Sequence, residues 1–212
     1  MNRKRWLALA LFLGVALLVV GLGRLTASPP AQGPWRETTL YGQGEKVLLL
    51  ELLGEIPSGK ALERFLSQVR QAREDEGVRA VVLYVESPGG GVTETEALHR
   101  ALRALAQEKP LVASLGRVAA SGGYMMACMA SELVAAPFAM LGSIGVLAQV
   151  PNLHRLLQRH DIDYEVLTAG QYKRTLTVLG RNTEEGRRKF NEELEDVHAL
   201  FKEHVSAWRP VL

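Results

Sequence analysis

A single cysteine, Cys128, in 212 residues excludes an intrachain disulfide and any cysteine-rich metal site. Its neighbours Met125, Met126, Ala127 and Met129 are apolar, which fits a buried structural thiol better than a reactive one. The chain also lacks an excess of either charge. Its formal net charge is +2, and setting aside Arg3, Lys4, Arg5 and Arg24 leaves about −2 for the remainder. Without a basic surplus, nucleic acid is not an expected partner. The five histidines (His99, His154, His160, His198 and His204) are scattered, and none belongs to an H-E-x-x-H pattern. They read as solvated or core-edge side chains, a zinc hydrolase is not indicated, and no metal or cofactor is expected. A Gly-x-x-x-x-Gly-Lys-Ser/Thr phosphate loop is absent, and Gly-x-Gly-x-x-Gly spacing fails at Glu94. No internal repeat stands out, and Glu74-Asp75-Glu76 reads as a solvated loop face.

One long hydrophobic run is present. Arg3, Lys4 and Arg5 precede an unbroken apolar stretch from Trp6 to Gly23, closed by Arg24. Its length matches the roughly 17–25 residues that span a bilayer and exceeds the roughly 7–15 of a signal-peptide core. Residues 1–24 are therefore expected to form a cytoplasmic tip and a membrane anchor. The positive flank stays inside and places the rest on the extracytoplasmic side of the cytoplasmic membrane. The competing reading is a signal peptide cleaved after Leu25-Thr26-Ala27. Residues 25–45, with Pro29, Pro30 and Pro34, read as a tether, and 46–212 as one domain.

Within that domain, apolar strand-like runs alternate with amphipathic helices. Val47–Leu53 is a strand candidate, and helical periodicity follows over Lys60–Glu74. Ala80–Val85 is continuous and β-branched, as a parallel strand buried on both faces would be. A second amphipathic helix is expected over Thr93–Gln107, then a strand over Leu111–Leu115 and a helix opening at Ser121. Short strands at 133–135, 144–147 and 164–167, a helix at 152–158 and a long helix from Thr183 complete the pattern. The alternation argues an α/β fold with a largely parallel sheet.

In such folds, sites lie in the loops at the carboxyl ends of strands. Glu86-Ser87-Pro88-Gly89-Gly90-Gly91 follows one strand, and its glycines allow close backbone approach to a ligand. Ala119-Ala120-Ser121-Gly122-Gly123-Tyr124 follows the next. A serine among small residues at the mouth of a helix suits an exposed nucleophile, with following N–H groups free to face a developing oxyanion. The same serine could instead be an ordinary N-cap. No Ser-His-Asp grouping is evident, which leaves Lys173, in Ala169-Gly170-Gln171-Tyr172-Lys173, as the leading base. Lysine accepts a proton only when neutral, so a pKa of about 10.4 must fall to roughly 7–8. That costs the charged form roughly 3–5 kcal/mol, which an apolar pocket can supply. Arg174 cannot substitute, because a guanidinium stays protonated.

Four segments, in order, resemble the signal peptide peptidase A family of membrane-anchored serine peptidases. They are Ser87-Pro88-Gly89-Gly90-Gly91, Ala120-Ser121-Gly122-Gly123-Tyr124, Gly142-Ser143-Ile144-Gly145-Val146 and Gly170-Gln171-Tyr172-Lys173. The resemblance runs over roughly 47–210 and implies a Clp-protease/crotonase-like α/β fold with repeated β-β-α units. It implies Ser121 as nucleophile, Lys173 as general base and Ser143 as the residue orienting the lysine. The N–H groups of Gly90 and Gly122 would form the oxyanion hole. It further implies cleavage of short apolar peptides, such as remnant signal peptides, and homo-oligomeric rings whose dyad can be shared between subunits. The family continues past the position of Arg209-Pro210 with another strand and helix, so this sequence is short at its C-terminal end.

Two other readings share parts of this pattern. A crotonase-class acyl-CoA enzyme would use the fold and paired backbone N–H groups but need neither Lys173 nor Trp6–Gly23. A catalytically inactive membrane scaffold related to the peptidases would keep the anchor and the assembly without turnover.

Overall fold

The computed structural model describes residue 40 and residues 44–209. The expected anchor at 6–23 and nearly all of the tether lie outside the described residues. Among the described residues, no helix is long and apolar enough to cross a membrane.

Strand β1 (Lys46–Leu53) leads to α1 (Gly59–Glu74), β2 (Val78–Ser87), α2 (Val92–Glu108), β3 (Leu111–Ala120) and α3 (Gly122–Ala127). Then come β4 (Glu132–Ala135), β5 (Met140–Gly142), α4 (His154–Arg159) and α5 (Glu184–Trp208). The strands form one five-stranded parallel sheet, ordered β1-β2-β3-β4, with β5 also on β3. Since β2 occupies one edge of β3, the other edge carries β4 against Val112–Leu115 and β5 against Val118–Ala120, in tandem. The mixed α/β class with a parallel sheet is as expected. The first three rounds are single strand then single helix, rather than β-β-α repeats.

Right-handed crossovers explain which face is covered. Strand order advances from β1 to β3 without reversing, so each crossover helix falls on the same side of the sheet. Burial then alternates along β2: Val81, Leu83 and Val85 are fully buried, while Val82 and Tyr84 are only half buried. On β1, Val47, Leu49 and Leu53 are exposed. The expectation that Ala80–Val85 is buried on both faces is thereby corrected. An unreversed strand order puts no helix behind β2 to cover its second face.

The core lies between the covered face and the helices. Leu98, Leu102 and Leu105 of α2 are fully buried, at the helical spacing the sequence displays. All of α3 is buried, and Cys128 follows it as a free thiol whose pKa burial pushes up. The long helix starts where expected: the Thr183 hydroxyl caps it by accepting from Gly186 N–H at 3.0 Å, with Glu184 and Glu185 in the first turn. Phe201 and Val205 bury its C-terminal half. Residues 144–147 and 164–167 form no strand. Their apolar side chains Ile144, Leu147, Tyr164, Val166 and Leu167 are exposed, and neither segment pairs with a strand among the described residues.

Candidate functional site

Parallel register brings three loops together at the carboxyl edge of the sheet. Ser87 pairs with Ala119, and Ala120 pairs with Gly142, so the chain leaves β2, β3 and β5 at neighbouring points. The β2–α2 loop, Ser121 and Ser143 follow directly. The β1–α1 loop is tied to the same edge, with Gly54 N–H donating to Glu86 O and Ile56 N–H to Gly89 O, each at 2.8 Å.

Ser121 forms the whole connection between β3 and α3, and its backbone is strained, at φ 51° and ψ −126°. Its N–H donates to Gly142 O at 2.8 Å, and its carbonyl accepts from Met125 N–H at 3.0 Å, which clamps the turn from both sides. The side chain makes no cap hydrogen bond. Ser121 thus occupies the N-cap position without making the side-chain bond of an ordinary N-cap. The turn is tight because glycines surround it: a Cβ on Gly89, at φ 102°, would stand 2.8 Å from both Gly122 N and Ser121 Cβ. A Cβ on Gly123 would stand 2.6 Å from Ser87 O.

Ser121, Ser143, Gly90 and Gly122 all line one cavity of about 780 Å³. As the first residue of α3, Gly122 has an N–H with no carbonyl four residues back inside the helix. Gly90 sits against Ile56, where a Cβ would come 2.7 Å from the isoleucine Cβ. Ser143 shares the positive φ of Ser121, at 51°, directly after β5. The walls are largely apolar, from Val92, Met125, Val146, Leu147, Leu200 and Phe201.

Lys173 does not line this cavity. It is exposed in a turn where its N–H donates to Gly170 O at 3.3 Å. That turn is fastened to the start of α5: Tyr172 Oη donates to Glu185 Oε1 at 3.0 Å, and Gln171 Nε2 does so at 3.3 Å. Within one chain, the structure thus gathers the serines and the glycine amides but not the lysine. Among the described residues, none forms the apolar pocket expected around Lys173; residues 169–174 are exposed.

Other residues at the cavity were not read as site residues from the sequence. Thr95, Glu96 and His204 line it, and His99 lies just behind. His99 is 1% exposed, which corrects its reading as a solvated or core-edge residue. Burial first, and neighbouring His204 second, lower its pKa from 6.5 to about 4, so it is neutral at neutral pH. The i,i+3 spacing of Glu96 and His99 on one helix face was the sequence signal available.

A serine on a strained strand-to-helix turn, beside glycine amides, is the arrangement that serine hydrolases use to expose a nucleophile. Residues 103–212, a little over half of the chain, match Peptidase family S49. The chain belongs to that family, the signal peptide peptidase A family anticipated from its four motifs. It is 48% identical over 169 residues to "Probable protease SohB" of Haemophilus influenzae, covering 78% of this chain and 47% of that protein. It is 30% identical over 148 residues to "Serine protease SPPA, chloroplastic" of Arabidopsis thaliana, covering 69% of this chain and 22% of the relative. With "Protease 4" of Salmonella typhi, identity is 40% over 104 residues, covering 49% and 17%. The chain spans about half the length, or less, of these curated relatives.

Proposed function

We propose that this protein is a membrane-anchored serine endopeptidase in which Ser121 is the nucleophile and Lys173 of a neighbouring copy is the general base. The observation that carries the reading is the uncapped Ser121 side chain on its strained turn at an apolar cavity. Ser121 Oγ attacks the scissile carbonyl and passes its proton to the uncharged lysine amine. The N–H groups of Gly90 and Gly122 stabilise the oxyanion. The resulting ammonium protonates the leaving amine, and water then hydrolyses the acyl-enzyme. Ser143 orients the lysine. Neither metal nor cofactor enters these steps.

Placing the lysine in trans reconciles the motif with the geometry. Residues 138–178 carry apolar side chains left uncovered among the described residues, Phe138 at 97% exposure, Leu167 at 85% and Leu147 at 79%. A second copy seated there, in a homo-oligomer, would bury them. It could also bring its Gly170–Lys173 turn to the Ser121 cavity. The apolar walls suit short apolar peptides, such as remnant signal peptides. The expected N-terminal anchor would hold the domain beside the bilayer on the extracytoplasmic side. The Clp-protease/crotonase-like fold is the finer architectural reading of the same parallel sheet.

The exposed position of Lys173 also fits an inactive scaffold, and one experiment separates the two. The full-length protein in detergent is treated with a fluorophosphonate and mapped by mass spectrometry. An adduct on Ser121, absent after Lys173→Met, is the result expected. No adduct, or one on another residue, would overturn the assignment.

A further inference from the structure

Behind the Ser121 cavity, α2 and α5 meet through Glu96, His99 and His204. One ligand atom from each of the three lies within 4.8 Å of the others. The two imidazole rings are 4.4 Å apart between centroids, tilted by 58°. His99 is 1% exposed, yet its Nε2 has no hydrogen-bond partner among the described residues. A buried imidazole nitrogen left unpaired costs on the order of 1–3 kcal/mol unless something occupies it. Glu96 and His99 stand at i,i+3 on α2, so both project from one face, the Glu-x-x-His spacing by which helices present metal ligands.

We propose that Glu96, His99 and His204 bind one divalent transition-metal ion of the zinc class. Two imidazoles and one carboxylate are a donor set that suits zinc with an open fourth position. Because Glu96 and His204 line the Ser121 cavity, that position faces the same space. Bonds of about 2.0–2.2 Å hold tetrahedral ligands roughly 3.4 Å apart. Closing from the present spacing would fall to Glu96 and His204, both half buried, rather than to the buried His99. Arg100 Nε holds Glu96 Oε1 at 2.9 Å, so one carboxylate oxygen serves the guanidinium while the other serves the ion. The ion would tie α5 to α2 and fix the width of the cavity between them.

The test uses the full-length protein, stripped by chelator and titrated with cobalt(II) chloride. Cobalt(II) reports its ligand field by visible absorption and is displaced by zinc. Expected are one equivalent bound per chain with the strong visible band of a tetrahedral site, its loss on adding zinc, and a rise in the thermal midpoint. Glu96→Gln and His204→Ala, at partly exposed positions, should each weaken binding at least about tenfold. Urea midpoints of the metal-free variants verify that they remain folded, and either folded variant suffices. Absence of stoichiometric binding, or binding unchanged in a folded variant, overturns the proposal.

Discussion

The contact between the β2–α2 loop and the Ser121 turn makes Gly89→Ala the sharpest test of the site's construction. Two costs arise, and the structure separates them. At φ 102° an alanine is strained whatever its surroundings, worth on the order of 1–3 kcal/mol. The added Cβ would also lie 2.8 Å from Gly122 N and Ser121 Cβ, against backbone that cannot rotate aside. Overpacking of that kind costs roughly 1–3 kcal/mol more. The total is about 2–6 kcal/mol. Gly170 supplies the control: its φ is 98°, yet nothing lies within 4 Å of an added Cβ, so Gly170→Ala carries the first cost alone. Urea unfolding of both variants reads the difference between them as a lower midpoint for Gly89→Ala at unchanged slope. Fluorophosphonate labelling of Ser121 in Gly89→Ala should slow by roughly a hundredfold, since relief of the clash displaces the proposed nucleophile by up to about 1 Å. Equal stability losses at the two positions, with labelling of Gly89→Ala unimpaired, would refute the packing described between loop and turn.

Two further perturbations test the scaffold. Leu102→Ala, at a fully buried α2 position, should destabilise the domain by about 2–5 kcal/mol in urea unfolding. A loss below about 1 kcal/mol would contradict the packing of α2 on the sheet. Asp75 accepts from Lys46 Nζ at 3.1 Å and from Gly77 N–H at 2.8 Å, which hold its pKa below the ordinary 3.8. A depressed carboxylate stabilises the fold above its unfolded pKa and loses that contribution as pH falls through the folded value. Asp75→Asn should therefore be less stable than the parent at pH 7, with the gap closing below pH 4. A gap independent of pH would sink the assignment.

Local pattern carried most of the scaffold. The helix expected over 60–74 occupies Gly59–Glu74, and that over 93–107 occupies Val92–Glu108. A buried stripe repeats at 3.6 residues whatever it packs against. Two other features are not local. The single covered face of β2 follows from strand order and crossover handedness, which the composition of Ala80–Val85 does not encode. Apolar runs at 144–147 and 164–167 resemble core strands in sequence because an exposed apolar surface uses the same side chains as a core. At the site, Ser121 was legible as a serine among small residues after a strand, while Ser143, Gly90 and Gly122 came from the resemblance of the four motifs; all four line one cavity. The surroundings of Lys173 were not legible, since no neighbouring residue in sequence supplies them. Nor was the contribution of α5 to the cavity wall, which joins residues about a hundred positions apart.

Mixing two inactive variants tests the shared dyad most directly. Ser121→Ala keeps the lysine and Lys173→Met keeps the serine, so neither alone should cleave peptide. Co-assembled in equal amounts, a serine from one variant meets a lysine from the other at about one site in four, given random head-to-tail placement. Peptide turnover recovering to about a quarter of the parent rate is the result this account predicts. Mixed oligomers with no recovered turnover would contradict it.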